Sequence, residues 1–363
     1  TYYAELLANQ PEEIRLVPTS GAWGHPVPGG AAGRFAFWKA RGLAHALGAP
    51  AFDWLPREAA AGRPVLSAQA LPLHRGPWAL DLDVVSALVG YRNRLLHRVP
   101  TRAWLRRRVL RPDCRAVTYW SDAARRGGEA YFGPGSEAKS LLLPPAVRER
   151  PLRRHTGAAD EVHLVYVARR FDHKGGQEAL DAALRVLEAH PRATATFVTR
   201  LPPGQAWPDH PRLRLRSDLP ADELEALWAK ADVFLYATRQ EIFGLVVLEA
   251  LAHGVPVVAL DEFAIPEMAR DGQEGLLVRG FEARWHDERM VPVRSFDEAT
   301  RLMRPGERER VVADLARAAD TLVRDPGLRR RLGESAWRRA REGPFSPPAQ
   351  REALRALAAR LSG

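Results

Sequence analysis

Three scarcities set the first limits on this 363-residue chain. Cysteine occurs once, at Cys114, so no disulfide can close within the chain. Lysine occurs four times, at Lys39, Lys139, Lys174 and Lys230, and asparagine only twice, at Asn9 and Asn93. Long apolar runs are missing as well: each is cut by Arg, Pro or Gly before it could span a bilayer. The first ten residues have neither the basic start nor the apolar centre of a secretory signal. These absences argue against a disulfide scaffold and a helical membrane protein, and they make the cytoplasm the expected compartment. The opening on Thr1 rather than methionine suggests a trimmed or incomplete start.

Arginine is what the chain has in excess. Basic residues number 54 against 44 acidic ones, for a formal charge of +10, and fifty of the 54 are arginines. A positive field of this kind favours anionic partners such as sugar nucleotides, acidic lipids or nucleic acid. The composition, 46% hydrophobic and 27% charged, is that of a globular chain. Its length exceeds what one core usually supports, so two lobes are expected.

Strand, short loop and helix alternate through the second half. Residues 161–169 (EVHLVYVAR) read as a buried strand, 172–176 as a turn, and 177–190 as a helix with Ala179, Leu180, Ala183, Leu184 and Leu187 on one face. Strands at 193–199, 231–237 and 255–260 and helices at 220–230 and 245–253 follow. Such alternation implies a parallel sheet covered by helices on both faces. The first half is less regular, with short strands expected at 14–18, 64–70, 78–83, 116–120 and 140–143 and a helix at 34–47. The Pro- and Arg-rich stretch 144–155 reads as a linker, and helices at 308–324 and 348–361, parted by Gly343-Pro344, close the chain. The expected division is therefore 1–150, 151–340 and a final helical segment 341–363.

The segment 241–258, EIFGLVVLEALAHGVPVV, concentrates the chemistry. A strand runs into a loop, and a helix opens near Leu245, turning the positive end of its dipole toward the carboxyl edge of the sheet. Glu241 lies just before that helix and Glu249 within it. Ionised carboxylates only accept hydrogen bonds, so they suit hydroxyl-rich ligands and repel phosphate. Read alone, the two could be an ordinary helix-start charge and a surface residue. Phosphate needs cations, and Arg169 and Lys174 flank the turn after the first strand of this half, in VARRFDHKGG. A strand end, a Gly-Gly turn and a helix start make a usual anion site, where two cations could clamp a diphosphate leaving group without a metal.

Together these motifs resemble the family-4 glycosyltransferases of the GT-B fold. The family's Glu-x7-Glu signature is matched by Glu241, Phe243, Gly244, Glu249, Ala250, Ala252, Gly254, Pro256, Val257 and Val258. Its preceding basic turn is matched by Arg169, Lys174 and Gly175, with Ala168 where glycine is usual. Its later Pro-Glu segment is matched by Pro266, Glu267, Asp271, Gly272, Gly275, Leu277 and Val278. Ile242, 263–265 and 199–201 depart from the pattern. The resemblance implies two Rossmann-like lobes facing each other across a cleft, with C-terminal helices crossing back to the first lobe. It implies retaining transfer of a hexose from a nucleotide-diphosphate sugar to a saccharide or lipid-linked acceptor, with no cofactor and no metal. Cell-envelope polysaccharide assembly is the implied setting. Arg169 and Lys174 would bind the diphosphate, and Glu241 would contact the donor sugar. Phe243, Gly244 and Leu245 would offer backbone groups to sugar and phosphate, and Glu249 would hold the ribose diol. A same-fold hydrolase, epimerase or phosphorylase, and a non-catalytic nucleotide-sugar-binding protein, are the competing readings.

In the first half, Gly29 and Gly30 form a glycine pair that could approach the diphosphate. Asp81 and Asp83, at the carboxyl end of the strand expected at 78–83, and His97 are acceptor-side candidates, with His74 beside them. Asp81-Leu82-Asp83 also mimics the metal-binding D-x-D of the other large glycosyltransferase fold, but two carboxylates alone rarely complete a divalent site. The run 92–115 carries nine arginines with Trp104 and several leucines. It reads either as a solvated helix face or as a docking surface for an anionic membrane. No helix-turn-helix, zinc or RNA-recognition signature supports nucleic acid as the partner.

Overall fold

A computed structural model describes residues 2–12, 14, 16, 52–53, 63–72, 76–152, 161–282 and 296–363. The expected helix at 34–47, Gly29, Gly30 and His74 lie outside these residues, as does most of the strand expected at 14–18.

The first lobe holds α1 (Tyr2–Ala8), β1 (Phe52–Asp53), β2 (Val65–Ala68), β3 (Leu71–Pro72), β4 (Trp78–Leu82), α2 (Asn93–Leu96), α3 (Val99–Val109), β5 (Cys114–Tyr119), α4 (Asp122–Phe132) and β6 (Ser140–Leu142). Its main sheet is parallel, in the order β2-β4-β5-β6, and β1 pairs with β3. Successive side chains of a strand point to opposite faces. Trp78, Leu80 and Leu82 accordingly join the core beneath α3 and α4, while Ala79 and Ala116 face the other way, into the cluster that holds Tyr2, Leu6 and Leu143.

The second lobe holds β7 (His163–Arg170), α5 (Gly176–Ala189), β8 (Thr194–Arg200), β9 (Leu213–Arg216), α6 (Ala221–Trp228), β10 (Val233–Tyr236), α7 (Leu245–Ala252), β11 (Val257–Leu260), α8 (Ile265–Met268), β12 (Gly275–Val278), α9 (Phe296–Arg301), α10 (Glu307–Arg324) and α11 (Pro326–Glu342). All six strands are parallel, in the order β12-β11-β10-β7-β8-β9. Strand order therefore reverses between β7 and β10, and ligands of open α/β sheets bind at such a switch point, beyond the carboxyl ends of the strands.

The final helix, α12 (Pro347–Ser362), returns to the first lobe. Gln350 donates to the Pro144 carbonyl at 3.0 Å and accepts from Asn9 at 3.0 Å, and Arg360 donates to the Ser140 carbonyl at 3.2 Å. Its Leu354 and Leu357 are buried in the cluster that includes Ala79, Ala116 and Leu143. The chain thus passes between lobes twice, along 144–152 and again near Phe345. In the second lobe, β9, β12 and α11 are among the elements present where none is expected from the sequence. The helix in the arginine run is Val99–Val109, with Pro100 in its first turn, where a missing N–H does no harm.

Candidate active site

The switch point is built by two loops. The turn after β7 carries Lys174, and the loop after β10 carries Glu241. His173 ties them, its carbonyl accepting from the Arg239 and Gln240 N–H groups at 3.2 and 2.9 Å. Gly175 has φ +63°, and a Cβ there would lie 1.7 Å from the Ala237 carbonyl oxygen, so only glycine lets the turn sit this close to β10. Gly175 caps α5 and Gly244, with φ +97°, caps α7; neither helix start has a side-chain cap. The Gly176 N–H is taken by the Phe171 carbonyl at 2.8 Å, but two helix N-termini without a side-chain cap open at one place, the arrangement that attracts anions.

Lys174 and Glu241 are paired. The Lys174 ammonium lies 2.9 Å from Glu241 Oε2 and donates to the Gln240 carbonyl at 2.8 Å. The Tyr236 hydroxyl donates to the same Oε2, and the Ile242 N–H donates to Oε1 at 2.9 Å. Burial opposes ionisation of Glu241. The Lys174 charge, the Tyr236 hydroxyl and the Ile242 N–H outweigh it and hold the carboxyl below its usual range. Glu241 is thus a fixed anion in a nearly closed site, and Lys174 retains one donor direction for a ligand. Arg169 is exposed at the end of β7 and makes no ion pair among the described residues. Behind the turn, the fully buried Glu178 is bound by Arg239 and by Arg308, the latter at 3.1 Å, which neutralises an acid otherwise hostile to an incoming phosphate.

The other motif residues divide by position. Leu245 opens α7 and is half-buried. Phe243 turns its ring out of the loop after β10 and between the lobes, edge-on to Trp120 at 5.9 Å and to Phe345 at 5.4 Å. Glu249 is half-buried in the second turn of α7; burial, then the charge of Glu225, pushes its carboxyl above the usual range. Phe263, where the resemblance leads one to expect glycine, has φ +60°, a strained conformation for an aromatic residue.

Across the cleft, Asp81 is fully buried. It accepts from Thr118 at 2.6 Å and from Trp120 and Tyr3 at 3.1 Å each, and so fastens α1 and Trp120 to β4. Burial pushes its carboxyl up to about 6 against those hydrogen bonds. Asp83 has fewer partners: the Val84 N–H at 2.6 Å and the Tyr91 hydroxyl at a long 3.3 Å. Burial, opposed by the Val84 N–H, pushes its carboxyl up to about 7. Tyr91 and Gln69, which meet at 3.3 Å, both hold left-handed backbone conformations rare for such residues. His97 is exposed just after α2. Sequence reasoning missed Tyr236, Gln69 and Tyr91; nothing in the spacing of a strand tyrosine or a turn glutamine marks them. Among the described residues, no group of three or more His, Cys, Asp or Glu could hold a metal ion.

With this geometry in view, the relatives are informative. A family profile described as "Glycosyl transferases group 1" matches residues 161–286, the span containing all six strands and both loops of the switch point. Residues 161–286 of the second lobe are thus similar to the group 1 glycosyl transferases. A D-inositol 3-phosphate glycosyltransferase of Acidothermus cellulolyticus is 33% identical over 195 residues, covering 49% of this chain and 41% of that protein. A sulfoquinovosyl transferase of Arabidopsis thaliana is 28% identical over 152 residues, covering 40% of this chain and 28% of its own length. The chain spans about two fifths or less of these curated glycosyltransferases. Among solved structures, Anabaena HepE in complex with UDP and glucose superposes with a TM-score of 0.56 at 16% identity, covering 94% of this chain and 84% of that one. Sucrose-phosphate synthase from Thermosynechococcus elongatus gives 0.54 at 19%, covering 78% and 68%. At these identities the likeness is one of fold, and the fold is GT-B.

Proposed function

We propose that this chain is a retaining glycosyltransferase that moves a hexose from a nucleotide-diphosphate sugar to a hydroxyl of a saccharide or lipid-linked acceptor. The observation that carries the reading is the Lys174–Glu241 pair, set at the switch point between two glycine-capped helix starts that have no side-chain cap. The helix starts, Lys174 and the exposed Arg169 suit a diphosphate, whose negative charge grows as the sugar leaves. Fixed donors aimed at developing charge lower the barrier without any reorganisation. Glu241 suits the sugar hydroxyls and Glu249 the ribose diol. Asp83, with free acceptor capacity and a carboxyl near neutrality, suits the acceptor hydroxyl better than Asp81, whose oxygens are taken. In this reading the departing diphosphate draws the acceptor proton on the same face, and the clamp needs no metal. Anabaena HepE, solved with UDP and glucose, supports the donor class.

The test is a thermal-shift panel of nucleotide sugars, since a ligand that binds only the folded state raises stability by RT ln(1 + [L]/Kd). Product analysis with and without acceptor then follows, in EDTA and with added Mn²⁺. A stabilising donor, a transfer product with retained anomeric configuration and unchanged turnover in EDTA are expected. Free sugar as the sole product would make the chain a hydrolase. Activity abolished by EDTA and restored by Mn²⁺ would overturn the metal-free clamp.

We further propose that α3 and its approach dock on an anionic membrane surface, bringing the cleft to a lipid-linked acceptor. No described helix is long and apolar enough to cross a membrane. Val99 is 79% exposed and Trp104 40%, and Arg94, Arg98 and Arg107 are exposed around them. Arg106 and Arg108 serve the fold instead: Arg106 binds the carbonyls of Phe132 and Pro134 at the end of α4, and Arg108 pairs with Asp113 over the Trp78 ring. Each basic residue at an anionic surface contributes roughly 1 kcal/mol, screened over a Debye length. Sedimentation with phosphatidylserine vesicles at low salt should show binding that neutral vesicles lack. Joint replacement of Arg94, Arg98 and Arg107 by Glu should weaken it at least tenfold. Equal binding by the triple variant would remove α3 from the account.

A further inference from the structure

Glu267 lies on α8 in the second lobe, yet its carboxylate reaches the backbone of α4 in the first. Its Oε2 accepts from the Asp122 N–H and its Oε1 from the Ala123 N–H, each at 2.7 Å. The first N–H groups of any helix have no partner within it. In α4, the Ser121 hydroxyl takes the Ala124 N–H at 3.1 Å, and the Ser121 carbonyl takes that of Arg125 at 3.0 Å. The two N–H groups ahead of these find no acceptor in their own lobe among the described residues, and Glu267 supplies both. A carboxylate at the positive end of a helix is favoured by the dipole as well. The Asp122 side chain, which would repel it, is engaged by Arg125 and Arg126. The arm that carries Glu267 is braced from behind: Arg339 of α11 donates to the carbonyls of Glu267 and Met268 at 2.6 and 2.7 Å. Met268 itself packs beside Gly244, the cap of the donor helix α7.

We propose that Glu267 is a positioning residue that sets the register of the two lobes, by completing across the cleft an N-cap that the first lobe leaves unfinished. The α4 helix is fully capped only when the lobes stand at this separation, so lobe closure and order at the start of α4 are one event. The brace through Met268 places the donor helix on the same arm. This goes beyond the transfer reading and stands independently of which reaction the cleft performs.

The experiment needs no ligand. Amide hydrogen exchange of residues 121–125 and small-angle scattering are measured on the full chain. Glu267→Ala should speed exchange at Asp122 and Ala123 at least tenfold and enlarge the radius of gyration, while amides in the middle of α4 change less than twofold. Glu267→Gln, which keeps one acceptor oxygen, should fall between wild type and Glu267→Ala. The converse variant is on the other lobe. Asp122→Pro deletes one donor at a first-turn position that tolerates proline, with Ser121 already extended, whereas Asp122→Ala keeps the N–H. Opening in Asp122→Pro but not in Asp122→Ala is expected, and it serves also if Glu267→Ala fails to fold. Unchanged exchange at 122–123 and unchanged scattering in Glu267→Ala, or equal behaviour of the two Asp122 variants, would overturn the proposal.

Discussion

Replacing Lys174 with alanine is expected to lower kcat/KM by two to three orders of magnitude, about 3–4 kcal/mol in the barrier, the range seen when one fixed donor to a developing charge is removed. Two effects combine. In the proposed transfer the leaving diphosphate would lose its ammonium contact, and Glu241 loses its cation while keeping the Tyr236 hydroxyl and the Ile242 N–H. The structural part is open to measurement without substrate. In the wild type, the folded Glu241 carboxyl titrates below its unfolded value near 4.3, so it contributes stability that is present above that pH and lost as the pH falls through the folded value. Without Lys174, burial dominates and the carboxyl rises. The variant should be less stable than wild type at pH 7 and lose less on acidification to pH 4. Steady-state kinetics paired with thermal melts across pH 4–8 check both halves. A folded variant with wild-type kcat/KM would remove Lys174 from the chemistry.

The second large effect is expected at Gly175. An alanine Cβ there would stand 1.7 Å from the Ala237 carbonyl oxygen, a contact no rotamer can relieve. The left-handed backbone adds about 1 kcal/mol for a non-glycine residue, and overpacking against backbone typically costs about 1–3 kcal/mol more. Gly175→Ala should therefore lose about 3 kcal/mol and, by shifting the adjacent Lys174, weaken binding of any phosphate-bearing donor. Gly272 isolates the cause. Its φ is +69°, but nothing lies within 4 Å of a Cβ there, so Gly272→Ala should lose only about 1 kcal/mol. Urea unfolding of both variants makes the comparison. Equal losses would show that the conformation matters and the approach to β10 does not.

The second lobe was legible because its central strands are β-branched, buried on both faces and spaced by amphipathic helices. Its edges were not. In β9, Leu213–Arg216, arginine alternates with leucine, and only Leu213 is buried, so no apolar run marks the strand. Helix α11 is rich in arginine, and one of those arginines, Arg329, is itself buried by bonding the Leu322 and Val323 carbonyls, so apolar periodicity understates the helix. At the site, spacing singles out Arg169, Lys174, Glu241 and Glu249 as candidates, since a motif records position along the chain. It could not show that Lys174 and Glu241 bind each other, or that the Phe243 ring serves the lobe interface. Those facts depend on which loops the switch point brings together. The strain at Phe263 was equally hidden: a departure from glycine signals a changed side chain, while the left-handed backbone appears only in three dimensions.

The return of α12 to the first lobe bears on how the protein is made. Its contact between Gln350 and Pro144 spans 206 residues of chain. On a ribosome adding about 5–20 residues per second, the face of the first sheet formed by Ala79 and Ala116, together with Leu143, waits roughly ten to forty seconds for Leu354 and Leu357 to emerge and cover it. The second lobe waits less, because its six strands lie in one continuous stretch and α10 closes on α5 across 130 residues of chain, as between His190 and Asp320. The nascent first lobe is therefore the natural client for a chaperone that binds apolar surface, and the lobe synthesised first is completed last.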